Sequence, residues 1–298
     1  MKILILGHKG MLGSELFSRF SADHEVVGKD IDEFDITSAY DCRDVIDEVA
    51  PDCVINAAAY TDVDGCETDR DLCFAVNAQG VRNVAEACGD SVCIVHFSTD
   101  YVFDGTKKEP YKENDPTNPL NVYGQSKLDG ERYLREMTDN YVLVRTAWLY
   151  GKNGRNFVRT ILEKAGNSDV LEVVADQVGS PTYARDLAAA VQVLVEGGHR
   201  GLYHLTNRGR CSWYEFALKI IEFADLGNRI EVRPITSDRL IRKAMRPAWS
   251  VMSTMKFSNL TGKTLRFWQV ALKEFIDENK AWLTAKSTET SHGVVKQS

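Results

Sequence analysis

Apolar positions in the first half of the chain fall into short runs separated by longer amphipathic stretches. Lys2-Ile-Leu-Ile-Leu-Gly7, Asp52-Cys-Val-Ile-Asn56 and Val92-Cys-Ile-Val-His-Phe97 are too short for helices and do not alternate with polar residues. Runs of that kind read as parallel strands covered on both faces. Two more strands are expected at 24–28 and 141–145. Between them, helical spacing predicts helices over 11–20, 38–49, 69–88 and 124–137. Strict alternation of strand and helix argues for a doubly wound parallel sheet of the Rossmann type.

After about residue 150 the alternation fades and Pro181, Pro234 and Pro247 punctuate the chain. Helices are expected at 156–165, 182–196, 212–224 and 264–279. The pattern predicts an α/β protein with a dinucleotide-binding domain over 1–150 and a smaller C-terminal substrate-binding lobe over 151–283, with some later segments returning to the first domain. Residues 284–298 are rich in Ser, Thr and Lys and are expected to form a disordered tail.

Composition narrows the classes. With 298 residues, 44% of them hydrophobic, the chain can bury the core of one large unit and an attached lobe. A net charge of −7 offers no basic field for nucleic acid. The seven cysteines are odd in number and contain no CxxC pair, so free thiols in a reducing compartment are expected rather than disulfides or a metal site. The N-terminal apolar run stops at Gly7, too soon for a signal peptide, and no stretch approaches a membrane span. A cytoplasmic location without membrane partners follows as an expectation.

Candidate chemistry begins at Gly7-His-Lys-Gly10-Met-Leu-Gly13, a GxxGxxG spacing between the first strand and the first helix. Gly7 suits a tight turn, Gly10 lets backbone approach a pyrophosphate, and Gly13 permits close helix–strand packing. Free N–H groups at a helix start favour anionic phosphates. A plain strand–helix turn would use some of the same residues. At the end of the second strand lies Lys29-Asp30-Ile31-Asp32. A carboxylate there, Asp30 foremost, would bind the 2′-hydroxyl of NAD and repel the 2′-phosphate of NADP, although Lys9 and Lys29 could offset that. The cofactor expected is NADH or NADPH, with NADH favoured.

Tyr123-Gly-Gln-Ser-Lys127 places a phenol and an ammonium four residues apart, on one helical face. Reduction of a ketone needs a proton delivered to oxygen. A tyrosine can supply it, and a neighbouring ammonium would bring its high pKa toward working pH. Thr99 and Asp100 end a strand about 25 residues upstream, where ligands of parallel sheets bind. Taken alone, the pair could equally be a helix start and a solvated lysine.

Together these residues resemble the extended short-chain dehydrogenase/reductase superfamily. Longer strings are similar to its dTDP-4-dehydrorhamnose reductase family from about residue 1 to 280: Ser98-Thr-Asp-Tyr-Val-Phe-Asp-Gly105, Arg145-Thr-Ala-Trp-Leu-Tyr-Gly151, Asp176-Gln-Val-Gly-Ser-Pro-Thr182 and Arg246-Pro-Ala-Trp-Ser250. The resemblance implies reduction of the 4-keto group of dTDP-4-dehydro-L-rhamnose by NAD(P)H. It makes Tyr123 the proton donor, Lys127 its partner and Thr99 a polarising donor. It places Gly7, Gly10, Met11, Leu12 and Gly13 at the pyrophosphate, Asp35 and Ile36 near the adenine, and Ala57, Ala58, Ala59 and Asn77 beside the cofactor. Val63, Thr99, Asp100 and Trp148 would touch the dTDP-sugar, and Arg246 its diphosphate. Some members of the family hold Mg²⁺ between subunits through glutamates. Glu15 matches one such position, but Arg185 stands where another carboxylate is expected, so no metal is predicted; a homodimer stays open. Three other readings stay open here. One is another nucleotide-sugar 4-ketoreductase. The second is a 4,6-dehydratase or epimerase on the same fold, although a dehydratase would carry a second carboxylate after Asp100, where this chain has Tyr101. The third is a non-catalytic subunit resembling the regulatory β subunit of methionine adenosyltransferase.

Overall fold

The computed structural model describes residues 1–289. Its elements in chain order are β1 (Lys2–Leu6), α1 (Met11–Phe20), β2 (Glu25–Lys29), α2 (Ala39–Val49), β3 (Cys53–Asn56), α3 (Val63–Thr68), α4 (Arg70–Phe74), a π-turn (Ala75–Gln79), α5 (Gly80–Cys88), β4 (Cys93–Thr99), α6 (Val122–Met137), β5 (Tyr141–Thr146), β6 (Leu149–Tyr150), α7 (Phe157–Ala165), β7 (Val170–Val174), β8 (Val178–Gly179), β9 (Thr182–Tyr183), α8 (Ala184–Glu196), β10 (Gly201–His204), β11 (Cys211–Ser212), α9 (Trp213–Phe223), β12 (Glu231–Ile235), α10 (Met255–Thr261) and α11 (Trp268–Glu289).

The central sheet has six strands in the order β10-β5-β4-β3-β1-β2, and every pairing in it is parallel. The apolar runs form it because both faces are covered. Ile3, Ile5, Ile55, Val95 and Val144 pack toward α1 and α8, while Leu4, Leu6, Val54, Ile94 and Leu143 pack toward α2, α5 and α6. Strand order reverses between β1 and β3, and in doubly wound sheets the ligand crevice opens beyond the carboxyl ends of such strands. Residues 184–204 supply α8 and β10 to this layer structure, so the later chain does return to the sheet. A second core, built on Val158, Ile161, Phe216, Ile220, Leu272 and Phe275, joins α7, α9 and α11 to the parallel pair β7–β12.

Local signals explain the helix starts. Ser38, Asn121, Asn156 and Ser212 each accept a backbone N–H of the helix they precede, and Ser212 with Glu215 completes a capping box. Three regions depart from the sequence expectation. The helix expected over 69–88 carries a π-turn at its centre. The pairing of β7 with β12 joins segments too far apart in sequence for periodicity to reveal. Residues 284–289, expected as tail, continue α11, while 290–298 lie outside the described residues.

Helix α6 is seated against the sheet by small residues and one buried ion pair. A Cβ on Gly124 would lie 2.2 Å from the Tyr101 carbonyl oxygen, and one on Gly130 would lie 2.3 Å from that of Asn77. Glu131 receives both Arg145 Nε at 2.8 Å and Nη2 at 2.6 Å, with the two side chains 1% and 3% exposed. Removing one partner of such a pair strands the other charge, which costs about 3–5 kcal/mol. Glu131→Gln should therefore lower unfolding stability by about that amount in urea titration; a loss of less than about 0.5 kcal/mol, the scale of an ordinary surface substitution, would show that α6 is seated by packing alone.

Candidate active site

The site has three walls. The first is the glycine turn between β1 and α1. Gly7 has φ +78°, and a Cβ there would lie 2.8 Å from Ala58 N; a Cβ on Gly13 would lie 2.0 Å from the Gly7 carbonyl oxygen. Gly10 precedes α1 without a side-chain cap, and no acidic residue occupies the first turn. The N–H groups of Met11, Leu12 and Gly13 therefore begin an uncapped helix, which suits a phosphate. Beside this turn a cavity of about 440 Å³ is lined by Gly7, Gly10, Asp30, Asp35, Ile36, Ala57, Ala58 and Ala59, together with Ile31, Phe34, Tyr60, Leu72 and Val76. Turn and cavity fit a dinucleotide, with the pyrophosphate over the helix start and an adenosine among apolar side chains.

Asp30 is held by the turn itself. Its Oδ2 accepts Lys9 N–H at 2.8 Å and its Oδ1 accepts Ile31 N–H at 2.9 Å. The Lys9 ammonium is turned to Asp32, at 2.6 Å, and to Glu33 at 3.6 Å.

The second wall is the end of β4 against α6. Thr99 and Asp100 are 6% and 2% exposed, and Lys127 is 2% exposed. Thr99 Oγ1 donates to Asp100 Oδ1 at 3.1 Å and accepts Tyr101 N–H at 3.2 Å. Burial pushes the Tyr123 hydroxyl above its ordinary range, the Asp100 charge adds to this, and a hydrogen bond from Thr99 opposes it. An adjacent ammonium is not among the largest of these influences. Lys127 Nζ lies instead 3.4 Å from His96 Nε2. Asn56 donates to His96 Nδ1 at 3.4 Å while its own Oδ1 accepts Ala58 N–H at 3.1 Å. Burial, with the nearby Lys127 charge, keeps His96 neutral, so the lysine has no anionic partner there. Glu131, one turn along α6, is committed to Arg145. Burial consequently brings Lys127 down to about 8.

The third wall is the cleft between sheet and lobe, about 1210 Å³, lined among others by Tyr101, Arg155, Phe157, Trp213, Arg242 and Arg246. Trp148 stands behind it at φ +48°, stacked on Trp213 with centroids 3.4 Å apart and planes 6° apart. Gly179 makes room for it, since a Cβ there would lie 2.4 Å from the Trp148 ring. The strap 240–250 crosses the opening. Arg246 grips Asp64 with two hydrogen bonds, at 2.8 and 2.7 Å, and donates to the Ala244 carbonyl at 2.6 Å.

A family model described as RmlD substrate binding domain matches residues 1–281. The chain belongs to the RmlD family. It is 40% identical over 285 residues to a dTDP-4-dehydrorhamnose reductase of Aggregatibacter actinomycetemcomitans, covering 91% of this chain and 97% of that one. Among solved structures, a dTDP-4-dehydrorhamnose reductase from Clostridium acetobutylicum matches with TM-score 0.89 at 41% identity, covering 93% of this chain and 99% of the other. One from Bacillus anthracis, solved in complex with NADP, matches with TM-score 0.89 at 38% identity and the same coverage. The parallel sheet and its helices are a Rossmann-type α/β fold.

Set against the sequence expectations, the RmlD-family chain gathers Gly7, Gly10, Asp30, Asp35, Ile36 and Ala57–Ala59 around one cavity, brings Tyr123 to Thr99 and Asp100 at the end of β4, and turns Lys127 toward His96. Asn77 lies apart from the cavity. Its amide is spent on the Tyr60 backbone, N–H and C=O both at 2.9 Å, and on Ser126 Oγ at 3.1 Å. Val63 opens α3, which the strap ties down through Asp64. Arg246 lines the cleft and anchors the strap, and Arg155 and Arg242 line it without a carboxylate partner among the described residues. Sequence reasoning passed over Trp213, Arg155, Arg242 and His96; only the spacing of Trp213 after a capping Ser carried any signal. Among the described residues no cluster of His, Cys, Asp or Glu is arranged to hold a metal, and Arg185 sits 3.7 Å from Glu15 and 2.8 Å from Glu278.

The glycine turn yields a direct check. Gly13→Ala must push its methyl into the Gly7 carbonyl and displace the turn. NADH affinity, read by fluorescence titration, should fall about tenfold or more, equivalent to about 1.4 kcal/mol, with the protein still folded; unchanged affinity would remove the turn from the cofactor site.

Proposed function

We propose that this RmlD-family chain reduces the 4-keto group of dTDP-4-dehydro-L-rhamnose to give dTDP-L-rhamnose, using a nicotinamide cofactor. The reading rests on one observation above the others: Tyr123 reaches Thr99 at the carboxyl end of β4, with Lys127 buried one turn along the same helix. The reductase names borne by relatives at 38–41% identity over nearly the whole chain support it. A bound reduced nicotinamide would supply the hydride.

The chain's own groups do the rest. Reduction needs a phenol that is protonated before the reaction, and burial keeps Tyr123 so. Tyr123 gives its proton to the carbonyl oxygen as charge develops there, and Thr99 adds a hydrogen bond to that oxygen. Lys127, short of anionic partners, is left to hold ribose hydroxyls and to stabilise the phenolate that Tyr123 becomes. Trp213, backed by Trp148, offers the cleft an aromatic wall. Arg155 and Arg242 offer guanidinium forks to a nucleoside diphosphate.

NADH is the favoured cofactor in this reading. Asp30 places a carboxylate in the adenosine cavity, and Lys9, already paired with Asp32 and Glu33, is not free to offset it. Steady-state rates should give a higher kcat/KM with NADH than with NADPH. Asp32→Ser releases Lys9 and should raise kcat/KM for NADPH by about two- to fivefold, the range of an exposed ion pair. An NADPH preference in the unaltered protein would overturn this part.

Tyr123→Phe keeps the ring and removes the proton. Turnover followed at the nicotinamide absorbance band should fall about 10²-fold or more while NADH binding persists. Near-normal turnover would defeat the assignment of Tyr123.

A further inference from the structure

Thr99 has one hydroxyl proton and competing claims on it. Its oxygen already accepts the Tyr101 N–H, and the hydroxyl proton points to Asp100 Oδ1. In that arrangement nothing remains to donate to a substrate carbonyl. A hydroxyl has one donor and two acceptor positions, so the proton is freed only if Asp100 becomes the donor.

The setting of Asp100 favours that state. The side chain is 2% exposed; no donor lies at hydrogen-bond distance from its Oδ2, and the Ser250 hydroxyl only faces the carboxyl group. A buried carboxylate oxygen without a donor is a poor place for charge. The titratable and polar groups facing it are Tyr101 from its own turn, Tyr123 from α6 and Ser250 from the strap; Arg246 and Arg242 act on Tyr101, and Lys127 lies one turn further along α6. Among the described residues no cation pairs with Asp100. Burial pushes it up to about 7, against the Ser250 and Thr99 hydroxyls, which favour the charged form.

We propose that Asp100 is a proton-dependent positioning residue: when protonated it donates to Thr99 Oγ1 and releases the threonine proton to the substrate's carbonyl oxygen, and when ionised it takes that proton back. Thr99 then accepts from Tyr101 N–H and from the Asp100 carboxyl and donates to substrate, while the Tyr123 hydroxyl, which otherwise pairs with Thr99, turns to the same carbonyl oxygen. No covalent bond changes apart from the proton on Asp100, which exchanges with solvent. The inference rests on the reductase reading given above.

Two signatures follow. The first is kinetic. Wild-type kcat on dTDP-4-dehydro-L-rhamnose with NADH should decline through a limb near pH 7, by about tenfold, a conservative share of what a single donor to a developing oxyanion supplies. A separate limb from Lys127 lies nearer 8. In Asp100→Asn a permanent N–H donor replaces the carboxyl, so the limb near 7 disappears and only the higher one remains, whatever the absolute rate. Ser250→Ala removes a hydroxyl that favours the charged form and moves the lower limb to higher pH.

The second signature is independent of turnover. Folded Asp100 binds its proton more tightly than the unfolded carboxyl does, so between about pH 4 and 7 the folded state holds more protons. Its contribution to stability is complete below about 4 and is lost as pH rises through about 7. The thermal midpoint of the wild type should therefore fall relative to Asp100→Asn across that window and run parallel above it. A limb near 7 that survives in Asp100→Asn and is unmoved in Ser250→Ala, or thermal midpoints that run parallel throughout, would overturn the inference while leaving the reductase reading intact. Absence of wild-type turnover on the keto-sugar at every pH would overturn both.

Discussion

The structure turns on how closely α6 approaches the end of β4. That distance is set by two absent side chains, at Gly124 and Gly130, and by the buried Arg145–Glu131 pair that ties the helix to β5. Tyr123 and Lys127 are neighbours of those two glycines on the same helix. Any bulk at Gly124 would strike the Tyr101 carbonyl and lift the phenol away from Thr99. The π-turn at 75–79 belongs to the same constraint: it presents the Asn77 carbonyl to Gly130 and the Asn77 amide to Ser126 and to the Tyr60 backbone, so the segment following β3 is fixed to α6 as well. Extra turns of this type inside helices are often found at functional sites.

Close seating also makes the site dry, and dryness sets its electrostatics. Burial is the first cause of the shift for each of Asp100, Tyr123, His96 and Lys127. The acids are pushed up and the bases down, so each group is biased toward its neutral form. A neutral phenol is the state a proton donor requires. Lys127 keeps its charge below about 8, burial lowering it while the Glu131 carboxylate one turn along holds it up. Glu131 thus anchors the helix through Arg145 and also favours the charge on the lysine.

Much of this was legible in the chain. Residues 7–13 announce the tight turn into α1 because its glycines must serve a fixed backbone geometry, and Tyr123 and Lys127 announce one buried turn of α6 because four residues make one helical face. Asp30 followed from the end of the second strand, which a parallel sheet brings to the ligand edge, whereas Asp35, Ile36 and Ala57–Ala59 followed from the family resemblance. What escaped depends on contacts distant in sequence. The chain gives no sign that Trp213 stacks on Trp148, or that Arg246, at the cleft, is paired with Asp64. Local pattern gives no sign of the π-turn or of the bonds that join the Asn77 amide to the Tyr60 backbone. The ammonium expected to lower Tyr123 turns toward His96, a residue hidden in an otherwise apolar strand. Position along the chain does not disclose which partner a charged side chain will choose.

The central claim is that these groups direct a hydride to C4 of a dTDP-keto-sugar. The most direct measurement is isotope transfer: incubate the protein with dTDP-4-dehydro-L-rhamnose and NADH carrying deuterium at the transferable position, and locate the label in the product by NMR. The account predicts one deuterium on C4 of dTDP-L-rhamnose and stoichiometric oxidation of NADH. Product without deuterium at C4, or label at another carbon, would contradict it.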